Sequence, residues 1–143
     1  MAKTYFISGH QDLTQEEFDL HYKQKILDAV KEKASFVVGD ARGGDYFGQK
    51  WLSYLCRKTP ELHPRVTVYH MHNKPRNNLG KFQTKGGFVE DDERDEAMTN
   101  NSQEDILWVR SPEEQKKKLG PKYNPFHVSG TMKNKIRRES TNQ

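Results

Sequence analysis

Ser35-Phe36-Val37-Val38-Gly39-Asp40-Ala41-Arg42-Gly43-Gly44-Asp45 is a short apolar run that passes directly into a glycine-rich turn. An uninterrupted apolar run of this length marks a strand buried on both faces, the condition of a parallel sheet covered by helices. Phe47, Trp51, Leu52 and Leu55 follow at helical spacing, which predicts a helix over about residues 45–57, stopped by Thr59-Pro60. Strand, tight turn and helix in that order are the repeating unit of an α/β domain.

The same alternation extends in both directions. Residues 3–8 alternate, are rich in β-formers and end in Ser8-Gly9, as a first strand would. Thr14-Gln15-Glu16-Glu17 is a capping box opening a helix whose apolar face carries Phe18, Tyr22, Ile26, Ala29 and Val30. Residues 66–71 and 105–109 supply a third and a fourth strand. Between them, residues 72–88 are polar, with Pro75, Asn77, Asn78 and three glycines, and read as a long loop. A helix over residues 90–101 comes next, its first turn crowded with Glu90, Asp91, Asp92 and Glu93, which suits the positive end of the helix dipole. Ser129-Gly130-Thr131 then opens a basic helical stretch. The pattern predicts an α/β domain in three layers, with a mainly parallel sheet of four or five strands. The loops at the carboxyl ends of the strands are where such sheets hold ligands.

Composition narrows the function classes. A chain of 143 residues suits one domain, expected as a core over residues 1–110 completed by a basic segment over 111–143. Its 32% hydrophobic and 31% charged residues imply a thin core and a well-solvated surface. No stretch has the length of a membrane span and the N-terminus lacks a signal-peptide layout, so a cytoplasmic protein is expected. The single cysteine, Cys56, rules out an internal disulfide framework and sits among Trp51, Leu52 and Leu55 as a packed thiol. The net charge of +4 is unevenly placed, because residues 111–143 contribute +5 and the first 110 contribute -1. The basic tail therefore admits nucleic acid as a second class of partner.

The chemistry lies in three loops. Gly39, Gly43 and Gly44 let the backbone turn sharply and come close to a ligand, Ala41 and its neighbours offer N–H groups to an anion, and Arg42 adds a bidentate donor. Asp45 suits the helix N-cap. Ser8-Gly9-His10 and Ser129-Gly130-Thr131 bring small residues and hydroxyls to the same sheet edge, and the His10 imidazole suits stacking on a base or bonding to it. His63, His70 and His72 lack acidic or cysteine companions at diagnostic spacing, so no metal and no cofactor is expected.

Phe6-Ile7-Ser8-Gly9-His10-Gln11-Asp12 resembles the opening of SLOG-superfamily proteins, a Rossmann-like group that includes the cytokinin-activating phosphoribohydrolases and the DNA-processing proteins of bacterial transformation. The stretch Gly39 through Asp45 is similar to the GxARGxD loop of the YspA-like branch. Arg94-Asp95-Glu96-Ala97-Met98 resembles that branch's helix motif, and Ser129-Gly130-Thr131 its terminal Gly-Thr loop. The resemblance covers most of residues 3–138 and implies a Rossmann-like domain with a nucleotide-like ligand at the strand edge, touched by Arg94 among others. It also allows a homodimer, since relatives complete their pockets that way.

Catalysis is a separate matter. The phosphoribohydrolases carry Gly-Thr-x-x-Glu where this chain reads Gly130-Thr131-Met132-Lys133-Asn134, and asparagine cannot act as a base. Asp45 and Asp95 are the carboxylates able to substitute. The leading expectation is thus a nucleotide-binding sensor or sequestering protein, with an N-glycoside hydrolase acting on nucleoside monophosphates and a single-strand nucleic-acid binder as alternatives.

Overall fold

The computed structural model describes residues 2–141, so residue 1 and residues 142–143 of the two expected segments lie outside it. Five parallel strands, β1 (Thr4–Ile7), β2 (Ser35–Val38), β3 (Val66–Met71), β4 (Gln83–Phe88) and β5 (Glu104–Ile106), form one sheet in the order β4-β3-β2-β1-β5. Helices α1 (Gln15–His21), α2 (Lys23–Lys31), α3 (Gly44–Cys56), α4 (Asp91–Asn100), α5 (Pro112–Leu119) and α6 (Gly130–Thr141) surround it. The α/β, Rossmann-like three-layer architecture is the one expected. No helix among the described residues is long and apolar enough to cross a membrane.

The alternation of side chains along the strands divides the interior. Ile7, Phe36 and Val38 face a large apolar layer with Phe18, Tyr22 and Ile26, Leu52 and Leu55. Phe6 and Val37 point the other way, into a small cluster with Tyr69 and Met98. That second face is otherwise polar: Arg94, Asp95, Thr99, Ser102, Thr131 and Asn134 are all buried there on α4, α6 and the turn between α4 and β5.

Four elements depart from expectation. Residues 72–88 are not one loop, because β4 pairs with β3 at the sheet edge, with a register shift between Tyr69 and Met71. Its residues are almost all exposed, so no burial pattern betrays the strand. The rest of that connection is pinned down: Asp40 accepts from the Arg76 amide, and Gln49 donates to the Asn77 carbonyl and accepts from the Leu79 amide. The last strand ends at Ile106, short of the expected Val109. Helix α5 emerges from the tail through a second capping box, Ser111 with Glu114.

The helix expected after Thr14 has the predicted capping box but breaks at Tyr22, whose φ of -122° leaves helical geometry. The Tyr22 ring is fully buried and stacks on Phe18. Its hydroxyl donates to the Ser8 carbonyl at 2.8 Å and accepts from the Trp108 amide at 3.0 Å. One phenol therefore joins the chain leaving β1 to the chain leaving β5, the point at which the sheet's winding reverses. Tyr22→Phe keeps the ring and leaves both backbone groups without this partner. We expect a loss of about 1–3 kcal/mol in urea unfolding, and a stability equal to the parent's would show that water replaces the hydroxyl.

Candidate ligand-binding site

The carboxyl ends of β1 and β2 are held together before any ligand enters. The Gly44 amide donates to the His10 carbonyl at 3.0 Å. Gly43 has φ of +74°, and a Cβ there would come within 2.5 Å of the Gln11 carbonyl oxygen. A Cβ on Gly44 would come equally close to the Gly9 Cα, at 2.5 Å. Only glycine permits these loops to touch. Of the glycines expected at the ligand, Gly43 and Gly44 form the seam between two loops and Gly39 lies against the carboxyl of Asp45 and the guanidinium of Arg94, so none of the three lines the cleft itself.

What reaches the surface from these loops is a cleft of about 470 Å³. Ser8, Gly9 and His10 enter it from the loop after β1, and Ala41, Arg42 and Asp45 from the loop after β2 and the start of α3. Arg94 and Asp95 come from α4, and Ser129, Gly130 and Thr131 from the start of α6, with Asn134 one turn further on. The residues singled out in four separate stretches of sequence thus converge, apart from Gly39, Gly43 and Gly44. The Ser129 hydroxyl accepts from the Met132 amide at 3.1 Å and so caps α6, whose first N–H groups have no partner within the helix. Ser8 is only 4% exposed, and its hydroxyl has no hydrogen-bond partner.

The floor of the cleft is acidic. Asp45 is not the N-cap of α3, a place taken by Gly43; its carboxyl turns back and accepts from the Ala41 amide at 3.1 Å. Burial, reinforced by the negative charge of Asp95 and opposed by Arg94, raises its pKa to about 7. Asp95 is likewise raised by burial, against two hydrogen bonds from Arg94 and one from the Asn134 amide at 3.3 Å. Arg94 is therefore not a free anion-binding arm. Besides Asp95 it donates to Asp40 at 2.8 Å. Burial disfavours the Asp40 carboxylate, but Arg76 and Arg94 together hold its pKa below the ordinary value.

Arg110, which the sequence reading passed over, is the other fixed point. It donates from Nε to Glu17, from Nη1 to Asp12 and Gln115, and from Nη2 to Glu17 and the Asp12 carbonyl. All five guanidinium N–H groups are thereby used. The hydrogen bond from Arg110 brings the Glu17 pKa down to about 2. The Arg110 backbone amide also donates to His10 Nε2 at 3.1 Å. Its partners lie in distant parts of the chain, and its only signal in sequence is a lone cation closing the apolar run Ile106-Leu107-Trp108-Val109.

The tail is less free than its charge suggests. Arg138 binds Asp105 and Ser102, and Arg137 binds Asn134 and Asp92. No group of three or more histidine, cysteine or acidic side chains able to hold a metal is present among the described residues. Comparison with protein-family models, curated proteins and solved structures finds no match to this chain.

Asp45 couples the site to pH. Its pKa rises on folding from the ordinary 3.8 to about 7, so the folded state holds a proton that the unfolded state releases in that interval, and stability falls as pH rises through it. Asp45→Asn removes this contribution and can still accept from Ala41. Its Tm should rise relative to the parent's between about pH 5 and about pH 8. A difference that stays constant over this interval would contradict the assignment.

Proposed function

We propose that the protein binds a nucleotide or nucleotide-derived small molecule in the cleft, as a sensor or sequestering protein. The observation that carries the reading is the unpartnered, buried hydroxyl of Ser8 in the cleft wall. A buried hydroxyl without a partner is costly in an isolated protein, and a ligand oxygen satisfies it. The division of charge supports a sugar phosphate in particular. Asp45 and Asp95 suit the hydroxyls of a ribose, while the start of α6 and the exposed Arg42 suit a phosphate. The GxARGxD-like loop and the Gly-Thr loop, which resemble those of SLOG proteins, point the same way. Calorimetry against nucleoside monophosphates, cyclic nucleotides and ADP-ribose should give saturable binding, weakened about tenfold by Arg42→Ala, the worth of one charge-assisted hydrogen bond. A folded sample that binds none of them would refute the proposal.

A second reading, N-glycosidic cleavage of a nucleoside monophosphate, is favoured by one contact. Asn134 stands where the phosphoribohydrolases have a catalytic glutamate, and its amide donates to Asp95. A carboxylate from α4 thus lies beside the position where the motif lacks one. In this reading Asp45 is the acid that protonates the departing base, and Asp95, whose charged form Arg94 favours against burial, stabilises the oxocarbenium-like sugar or activates water. Free base should be released on incubation, at a rate that falls as pH rises through about 7, and Asp45→Asn should slow it by about 100-fold or more. Release undiminished in both Asp45→Asn and Asp95→Asn would exclude these roles.

A further inference from the structure

The polar cleft opens into a second cavity of about 500 Å³ with different chemistry. Its walls include Leu119 at the end of α5, Tyr123 and Pro125 in the chain that follows, and Met132 in the first turn of α6. His10, Gln115, His127, Val128 and Ser129 line both cavities and form their junction.

Arg110 decides how His10 and Gln115 face. A backbone N–H can only donate, so His10 Nε2 must carry the lone pair that accepts from Arg110, and the imidazole proton resides on Nδ1. Burial first, and then the charge of Arg110, lower the His10 pKa and keep the ring neutral. A guanidinium also only donates, so Gln115 must present Oε1 to it, which leaves the Gln115 Nε2 hydrogens for another partner. Two donors are therefore fixed at the boundary between a cleft suited to hydroxyls and phosphate and a groove suited to a flat apolar group.

We infer that the groove between α5 and α6 seats the base of a nucleotide whose sugar and phosphate lie in the cleft, with His10 Nδ1–H and the Gln115 amide donating to acceptor atoms near the sugar–base junction. The inference rests on the cleft being a nucleotide site, and it adds that residues 111–132 select for the base. The shared wall of the two cavities names the occupant: a group reaching from the cleft into the groove passes His10, Gln115 and residues 127–129 and meets Leu119, Tyr123 and Met132. A ribose phosphate alone fills only the first cavity.

The test compares adenosine 5′-monophosphate with ribose 5-phosphate by calorimetry on the full chain. The monophosphate should bind at least about tenfold more tightly. Leu119→Glu should bring the ratio of the two affinities close to one, and Gln115→Ala should lower it severalfold. Helix α5 has no buried residues, and a ratio taken within each variant cancels any general loss of binding, including one that follows from removing the Gln115 partner of Arg110. Equal affinity for the two probes in the parent protein would overturn the inference and leave the cleft reading standing. A preference for the monophosphate that survives Leu119→Glu would also overturn it. Binding of neither probe would overturn this inference, while the cleft reading is decided by the wider panel of nucleotides.

Discussion

The saturated guanidinium of Arg110 is the constraint on which the site depends. A buried cation of this kind is tolerated only where opposite charge and full hydrogen bonding offset its desolvation, and Asp12, Glu17, Gln115 and the Asp12 carbonyl supply both. These partners belong to the loop after β1, the first turn of α1 and the middle of α5. One side chain at the end of the β5 connection therefore sets the positions of three elements. Its backbone amide sets the tautomer of a fourth participant, His10. Glu17 has a second task, since its carboxylate also closes the capping box with Thr14. Helix start, loop position and histidine tautomer are consequently one arrangement.

The two faces of the sheet divide stability from chemistry. The α1–α3 face is a conventional apolar layer in which Phe18, Tyr22, Ile26, Leu52 and the strand residues bury their side chains. The α4–α6 face has only a small apolar cluster. There the packing is made by Arg94 with Asp40 and Asp95, Asn134 with Asp95, and Arg138 with Asp105. Networks of this sort give geometric definition in exchange for desolvation, and they hold carboxyls near a cleft in defined orientations. The low hydrophobic fraction of the chain, 32%, is the compositional trace of a domain with only one fully apolar layer.

Much of this was legible from residue patterns, and the failures have a common cause. The apolar run of β2, the helical spacing of α3 and the Thr14 capping box are local signals, and each formed where expected. The convergence of Ser8, Ala41, Arg42, Asp95 and Ser129 on one cleft followed from the parallel winding of the sheet. Strand β4 was not legible because an exposed edge strand has no buried face to impose alternation on its sequence. Asp45 is not the cap that aspartate at a helix start ordinarily provides; Gly43 takes that place, and the carboxyl turns inward instead. Arg110 is defined by pairing with Asp12 and Glu17 over more than ninety residues, to which no local pattern corresponds, and Gln115 gains its meaning only from Arg110.

The start of α6 forms one wall of the cleft, and α6 also packs on α4 and β5. In order of synthesis it is the last of the parts that build the cleft. A chain emerging from a ribosome can thus pair all five strands and fill the α1–α3 layer while Asp45 and Asp95 still lie open to water. Enclosure of those carboxyls, and with it the perturbed protonation of Asp45, waits for the final helix to dock. The chemistry of the site is in this sense acquired after the apolar layer of the domain.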